Sequence, residues 1–137
     1  MATVVEALTL LRTSDARRYR RVVRHVRYIL IGDWRKHAFY YGSTRLCGIK
    51  HLTNEASQEG AANAIYFACL LVHESTHGVI DQRRFSYTKK NQGRIEHICL
   101  AEELRFLDHF PKHRATLRAV FERERRREKE WSSMNGR

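Results

Sequence analysis

The sequence contains few of the residues that interrupt a chain or cross-link it. It has one proline, seven glycines and three cysteines among 137 residues. Scarce proline and glycine exclude collagen-like and low-complexity chains, and the odd number of cysteines argues against a disulfide framework. We therefore expect regular secondary structure and reduced thiols, as is typical of a cytoplasmic protein.

Long hydrophobic runs are also missing. The longest uncharged apolar stretch covers residues 60–72, which is too short to cross a bilayer. The first residues lack the basic start of a signal peptide and include Glu6, so they do not predict secretion. The sequence therefore predicts a soluble protein without a membrane partner.

Negative charge is scarce, with 15 acidic residues against 26 basic ones and a net charge of +11. The excess lies at the two ends: residues 1–30 and 111–137 each carry +5, whereas residues 61–110 are neutral. So basic a domain has the electrostatic character of a nucleic-acid binder. However, 42% of the residues are hydrophobic, which excludes a disordered basic tail.

The pattern of apolar residues predicts one α+β domain over residues 1–137. Ser14 and Asp15 mark a helix start, and apolar residues follow at helical spacing among arginines. These residues are Tyr19, Val22, Val23 and Val26. β-branched and aromatic residues predict strands at 27–32, 38–42 and 44–52, with a turn at Gly42 and Ser43.

The second half of the chain has helical patterns. Residues 57–79 are apolar on nearly all sides, which is typical of a buried helix. Further helices are predicted at 94–110 and 112–131, with Pro111 suited to the first turn of the last one. The polar residues 83–93 are predicted to form a loop.

The predicted buried helix contains His73-Glu74-Ser75-Thr76-His77. Histidines four apart lie on one helical face, so both imidazoles can reach one ion, and zinc suits imidazole ligands. Glu74 can contact a water held there and act as general base. Because Glu74 is the only charged residue between Gly60 and Ile80, burying these three side chains is costly without a partner. The pattern predicts a zinc site.

A catalytic zinc site needs a third protein ligand, and the next predicted helix offers candidates. On its helical wheel, Glu96 and Glu103 lie within about 60° of the centre of the apolar face, whereas Glu102 lies on the other flank. Each of the first two glutamates is either a ligand or a half-buried residue paired with an arginine such as Arg94.

Two cysteines are alternative ligands. Cys69 lies one helical turn before His73, and Cys99 lies one turn after Glu96. Small buried cysteines are usually core residues, so a site of two histidines and a cysteine is the less favoured reading.

The motif at residues 73–77, with eighteen residues between His77 and Glu96, resembles the gluzincin branch of zinc metallopeptidases. In that branch a glutamate of the following helix completes the site. The resemblance covers residues 70–103 and implies that His73, His77 and Glu96 bind one zinc ion and that Glu74 is the catalytic base. It implies hydrolysis of a peptide or protein substrate.

The resemblance also implies a zincin-like fold. A small antiparallel or mixed sheet would pack on an active-site helix and a ligand-bearing helix, between basic N- and C-terminal helices. Thermolysin-like members carry an aspartate four residues after the glutamate ligand that orients a histidine, whereas this chain has Leu100. Either Glu103 takes the orienting role or the chain is a reduced member, and its length leaves no room for a second cleft-forming domain.

The sequence leaves the roles of several other residues undecided. The residues that could stabilise an oxyanion near the metal are Tyr87, His97 and His109. Residues 38–52 could pair with an extended peptide as an added strand, or be ordinary sheet. The four remaining histidines are expected at the surface: His25, His37, His51 and His113.

The basic ends support two rival functions. Arginines of residues 17–27 could track phosphates while Tyr19 and Tyr28 stack on bases, or they could form a solvated face. These arginines are Arg17, Arg18, Arg20, Arg21, Arg24 and Arg27. A zinc-stabilised binding domain without catalysis and a basic nucleic-acid-associated protein are thus the alternatives to a peptidase. Nucleic acid is the less favoured partner because no motif for it occurs, and the sequence predicts no oligomeric state.

Overall fold

In a computed structural model that describes residues 2–50 and 60–134, the chain forms five helices and a three-stranded sheet. The elements, in order, are α1 (Ala2–Ser14), α2 (Ala16–His25), β1 (Tyr28–Gly32), β2 (Ala38–Tyr41), β3 (Leu46–Lys50), α3 (Gly60–Gln82), α4 (Gln92–Leu107) and α5 (Pro111–Met134). The predicted α+β class is confirmed. Among the described helices, none is long and apolar enough to cross a membrane.

The sheet is mixed, with β3 in the centre. β1 pairs with β3 in parallel and β2 pairs with it antiparallel, giving the order β1-β3-β2. β3 begins at Leu46, later than predicted, because Arg45 belongs to the preceding turn with φ 54°. Residues 51 and 52 of the predicted third strand, like residues 57–59 of the predicted helix, lie outside the described residues.

Helix α3 is the centre of the core. It packs against α1, α2, α4 and the sheet, which explains why the sequence is apolar on nearly every side. Phe67, Ala68, Leu71 and Val72 are all at most 3% exposed. Cys47 and Ile49 of β3 join the same core, because alternate residues of a strand point to one face.

The N-terminal region differs from the prediction in three ways. An additional helix, α1, precedes the basic one and buries Ala7 and Leu11 in the core, so the basic helix is the second. Val23 is 57% exposed, because it lies about 100° around the helix from the buried Val22. His25, expected at the surface, is buried because it follows Val22 by three residues and shares its face.

An ion-pair network joins α2 to α4. Arg18 Nη2 and Arg21 Nη1 both lie 2.9 Å from Glu102 Oε2. Asp15 caps α2 by accepting a hydrogen bond from the Arg18 backbone N–H and pairs with the guanidinium at 2.7 Å. Burial alone would raise the pKa of Glu102, but Arg21 and Arg18 outweigh it and hold the pKa below its ordinary value. Glu102 therefore pairs with arginines of α2 and does not contact the zinc motif in the described residues.

Replacing Glu102 by glutamine tests this network. We expect Glu102→Gln to lower the free energy of unfolding at neutral pH by about 2 kcal/mol, because Arg105 as well as the two arginines of α2 loses a charged acceptor. The folded pKa lies below the unfolded value, so the carboxylate stabilises the protein above about pH 4.3 and loses this effect as the pH falls through the folded pKa. In urea unfolding, the difference from wild type should therefore shrink in acid.

The exposed pair of Asp108 and Arg114 provides the control. Asp108→Asn should change stability by less than about 1 kcal/mol at any pH, because solvent screens the pair. A Glu102→Gln effect equal to that of Asp108→Asn, or one independent of pH, would contradict the network's role.

Candidate metal centre

The two histidines of the motif lie side by side on α3. Their ring centroids are 5.3 Å apart, as expected for residues one helical turn apart. The side chains are 14% and 17% exposed for His73 and His77, whereas Val72, Ser75 and Thr76 beside them are buried. The α3 helix thus presents its two imidazoles at the margin of an otherwise closed core.

Glu96 of α4 reaches both imidazoles with one carboxylate. Its Oε2 lies 3.1 Å from His73 Nε2, and its Oε1 lies 3.0 Å from His77 Nε2. Burial alone would raise the pKa of Glu96, but the hydrogen bonds and charges of the two histidines outweigh it and lower the pKa well below the ordinary value. The structure therefore brings together the three residues predicted as ligands.

Glu103 contacts the other ring nitrogen of His73. Its Oε2 lies 3.3 Å from His73 Nδ1, and the residue is 2% exposed. Burial opposes a charged imidazole, but hydrogen bonds to Glu103 and Glu96 raise the pKa of His73 well above its ordinary value. Burial raises the pKa of Glu103 despite the nearby His73. A carboxylate at Nδ1 leaves Nε2 to face Glu96, which is the orienting role that sequence reasoning offered as one of two alternatives.

Glu74 is buried beside the two imidazoles. It is 5% exposed, and burial raises the pKa of its carboxyl while the charges of His73 and His77 oppose that rise. A carboxyl whose pKa is raised toward neutrality can take up a proton and release it again. The electrostatics of Glu74 therefore suit a general base.

Tyr87 reaches the centre from the loop between α3 and α4. Its hydroxyl donates a hydrogen bond to Glu96 Oε1 at 3.0 Å, and its ring meets that of His77 edge-on at 5.6 Å. Burial, followed by the charge of Glu96, raises the pKa of Tyr87, so the hydroxyl stays a donor. The sequence did not rank Tyr87 above the other two candidates.

Cys99 is one of the two cysteines that the sequence analysis gave as less favoured alternative ligands. His73, His77 and Cys99 each offer a ligand atom, and these three atoms lie within 4.8 Å of one another. The thiol is fully buried, and burial raises its pKa. Two geometries therefore compete for the third ligand. Glu96 contacts both histidines directly, at 3.0 and 3.1 Å, which is near the about 3.3 Å between nitrogen and oxygen ligands of a tetrahedral zinc ion.

The donor set fits a divalent cation in charge as well as in spacing. Three carboxylates, of Glu74, Glu96 and Glu103, surround two imidazoles, and in the described residues their ion pairs involve only the histidines. Burying three carboxyl groups beside two imidazoles is costly unless bound protons or a cation balance their charge, and a divalent cation can do so. Imidazole nitrogen with carboxylate oxygen is a set that zinc accepts.

The other candidate residues lie elsewhere. His109 pairs with Asp15 at 3.0 Å, and His97 is exposed on α4. Cys69 is buried in the hydrophobic core. Neither Glu96 nor Glu103 forms an ion pair with Arg94 among the described residues. His51 lies outside the part of the chain that the structure describes.

Comparison of the chain with protein-family models, curated proteins and solved structures gives no match. Interpretation of the centre therefore depends on its own residues and their geometry.

Proposed function

We propose that this protein is a zinc-dependent metallopeptidase of zincin-like type. The observation that carries the proposal is the carboxylate of Glu96 within 3.1 Å of Nε2 of both motif histidines, beside the buried Glu74. His73, His77 and Glu96 would hold one zinc ion, leaving the fourth position for water, as catalytic zinc sites do. The three cysteines are unpaired and buried, which supports a reducing, cytoplasmic setting.

Each residue of the centre would have a distinct role in hydrolysis. A bound zinc ion supplies Lewis acidity, which acidifies water and polarises a peptide carbonyl. Glu74 would accept a proton from the attacking water and deliver it to the amine nitrogen that leaves. Glu103 would keep His73 in the orientation that directs Nε2 to the ligand position. The Tyr87 hydroxyl, whose single proton is donated to Glu96 in the structure, would turn to donate it to the oxygen of the scissile carbonyl.

The role of Tyr87 gives a direct prediction. We expect Tyr87→Phe to lower kcat about 100-fold, because one donor to the developing oxyanion is lost. The zinc-loaded protein should keep its metal, because the hydroxyl contacts the ligand Glu96 and would not bind the ion itself. Loss of such a partner typically costs about 10- to 100-fold in metal affinity, so kcat and zinc content are both measured with zinc in excess. Steady-state kinetics on a cleaved peptide and metal analysis measure the two quantities. The matched control is Tyr41→Phe on the exposed sheet face, which should leave both unchanged.

A non-catalytic zinc site is the second candidate, and Cys99 favours it. If the Cys99 sulfur joined the two histidines and Glu96, the ion would have four protein ligands, as in structural zinc sites. No position for water would remain, and Glu74 would have no proton to move. The ligand identity thus separates an enzyme from a zinc-stabilised binding domain.

The ion pairs of α2 leave fewer of its arginines for binding nucleic acid. Arg18 and Arg21 pair with Glu102 at 2.9 Å and so are drawn away from a phosphate-tracking face. Arg17, Arg20 and Arg24 stay exposed. Two of the five arginines of α2 thus have an internal structural use.

The experiment that tests the proposal is cleavage of a broad peptide library by the zinc-loaded protein, with new termini identified by mass spectrometry. Cleavage that a chelator abolishes and that zinc restores would support it. Zinc-loaded protein that cleaves no peptide would favour the binding domain.

A further inference from the structure

The face of the sheet that points away from α3 is rich in exposed aromatic and aliphatic side chains. Strand alternation sends Cys47 and Ile49 into the core beneath the sheet and the neighbouring residues to the opposite side. We call that side the outer aromatic face. Its residues are Tyr28, Leu30, Trp34, Phe39, Tyr41 and Leu46.

Three of these side chains are about half or more exposed to solvent. Tyr28 is 52% exposed, Leu30 48% and Tyr41 60%. Soluble proteins rarely leave a contiguous apolar patch uncovered unless it binds something. Core packing therefore does not explain why these apolar side chains are exposed on the outer aromatic face.

Two glycines leave room for aromatic rings to approach the strands closely. A Cβ at Gly48 would overlap the ring of Phe39, and a Cβ at Gly32 would come within 2.7 Å of Trp34. The Phe39 ring is 5.2 Å from Trp34 and 5.3 Å from Tyr41, measured between centroids. The rings thus form a continuous row along β2 and across the sheet.

The margin of this face is basic. Residues 27–50 contain five basic residues, Arg27, Arg35, Lys36, Arg45 and Lys50, against the single acidic Asp33. The Arg27 guanidinium lies 5.5 Å from the centroid of the Tyr28 ring. A row of rings with a basic margin is complementary to a chain of bases joined by phosphates.

We propose that the outer aromatic face binds single-stranded nucleic acid. Each base has an apolar face that stacks on an aromatic ring irrespective of sequence, while basic side chains attract the phosphates. In a duplex the bases are already stacked on one another, so a flat sheet face cannot reach them. A protein interface also has an apolar centre and a polar rim, so the excess of positive charge at the margin is the feature that favours a polyanion. This inference does not depend on the metal centre, which lies on α3 and α4.

The test uses the purified full chain and fluorescence anisotropy of labelled oligothymidine about 15 nucleotides long, which suits a single binding face. Oligouridine and a duplex of equal length are compared with it. We expect tighter binding of both single strands than of the duplex, with log K falling linearly as log salt concentration rises.

The variants assign the binding to the face. Tyr41→Ala should weaken binding about tenfold, because one stacking ring is lost, whereas Tyr41→Phe should retain it. Arg27→Ala should weaken binding and reduce its salt dependence. The control is Arg126→Ala at an exposed position of α5, with little effect expected. Circular dichroism melting verifies that each variant is folded.

Two results would overturn the proposal. Equal binding of duplex and single strand, unaffected by Tyr41→Ala but lost in Arg20→Ala or Arg24→Ala, would assign binding to α2. Absence of binding even at low salt, with self-association that Tyr41→Ala abolishes, would make the face a contact between copies of the chain.

Discussion

Glu74→Gln is expected to abolish peptide hydrolysis while leaving zinc content and fold unchanged. Glutamine has the same shape as glutamate but cannot take up the proton of the attacking water. General acid–base groups contribute about 10²- to 10⁴-fold to rate, so kcat should fall by that factor or more. Zinc should stay bound, because Glu74 forms no ion pair with the predicted ligands in the described structure.

The substitution should also not harm stability. Glu74 is 5% exposed, and burial raises the pKa of its carboxyl, so a neutral amide of equal volume is tolerated there. The matched control is Glu122→Gln, at an exposed glutamate of α5 that pairs with Arg118. Full activity in Glu74→Gln, with a normal melting temperature, would show that Glu74 is not the base.

Glu96→Gln is expected to release zinc from the purified protein. Its carboxylate is the only group of α4 within 3.1 Å of both motif histidines in the described residues, and an amide oxygen is a weaker and uncharged ligand. Added zinc should raise the melting temperature of the wild type, because the ion binds the folded state. It should raise that of Glu96→Gln much less.

Glu103→Gln serves as the comparison for Glu96. Glu103 touches the centre only through Nδ1 of His73, and loss of such an orienting partner typically costs about 10- to 100-fold in metal affinity. Zinc content should therefore fall less than in Glu96→Gln, and inductively coupled plasma mass spectrometry measures both. Equal losses, or greater loss in Glu103→Gln, would contradict the assignment of the third ligand.

Cys99→Ala completes this series. If Glu96 is the third ligand, removing the thiol leaves zinc content unchanged and costs only the stability of a small buried side chain. Loss of zinc in Cys99→Ala with retention in Glu96→Gln would assign the site to His73, His77 and Cys99, whose ligand atoms also lie within 4.8 Å of one another.

The sequence predicts seven of the eight described elements, missing α1, and it predicts that Glu96 lies near the motif histidines. The spacing of four between His73 and His77 dictates one helical face, and the wheel position of Glu96 next to the apolar centre makes it face α3. These are local consequences of helical geometry, so they follow from the residues alone. Metal binding by the three residues stays a prediction.

Other features depend on how helices rotate and pack, which local patterns do not specify. Glu103 contacts Nδ1 of His73 because α4 lies against α3 at a particular rotation, and Tyr87 arrives from a loop without periodicity. The fully buried Cys99 looks like a core residue from its pattern, yet its sulfur faces the centre. The network of Arg18 with Glu102 spans 84 residues of sequence, a separation that no short-range pattern reveals.

The termini illustrate the same limit. Charge counting divided the chain into basic ends and a neutral middle but did not distinguish α1, which is apolar and packs on the core, from the basic α2. The α2 arginines on the side that faces α4 pair with the carboxylate of Glu102, and the others are exposed to solvent.

The most direct measurement of the central claim is X-ray absorption at the zinc edge on the purified, zinc-loaded protein. We predict one zinc ion with nitrogen and oxygen ligands alone, at about 2.0–2.1 Å, from His73, His77, Glu96 and water. A sulfur ligand at about 2.3 Å would place Cys99 on the ion and contradict the ligand set of His73, His77 and Glu96. A protein that retains no zinc would contradict the metal centre altogether.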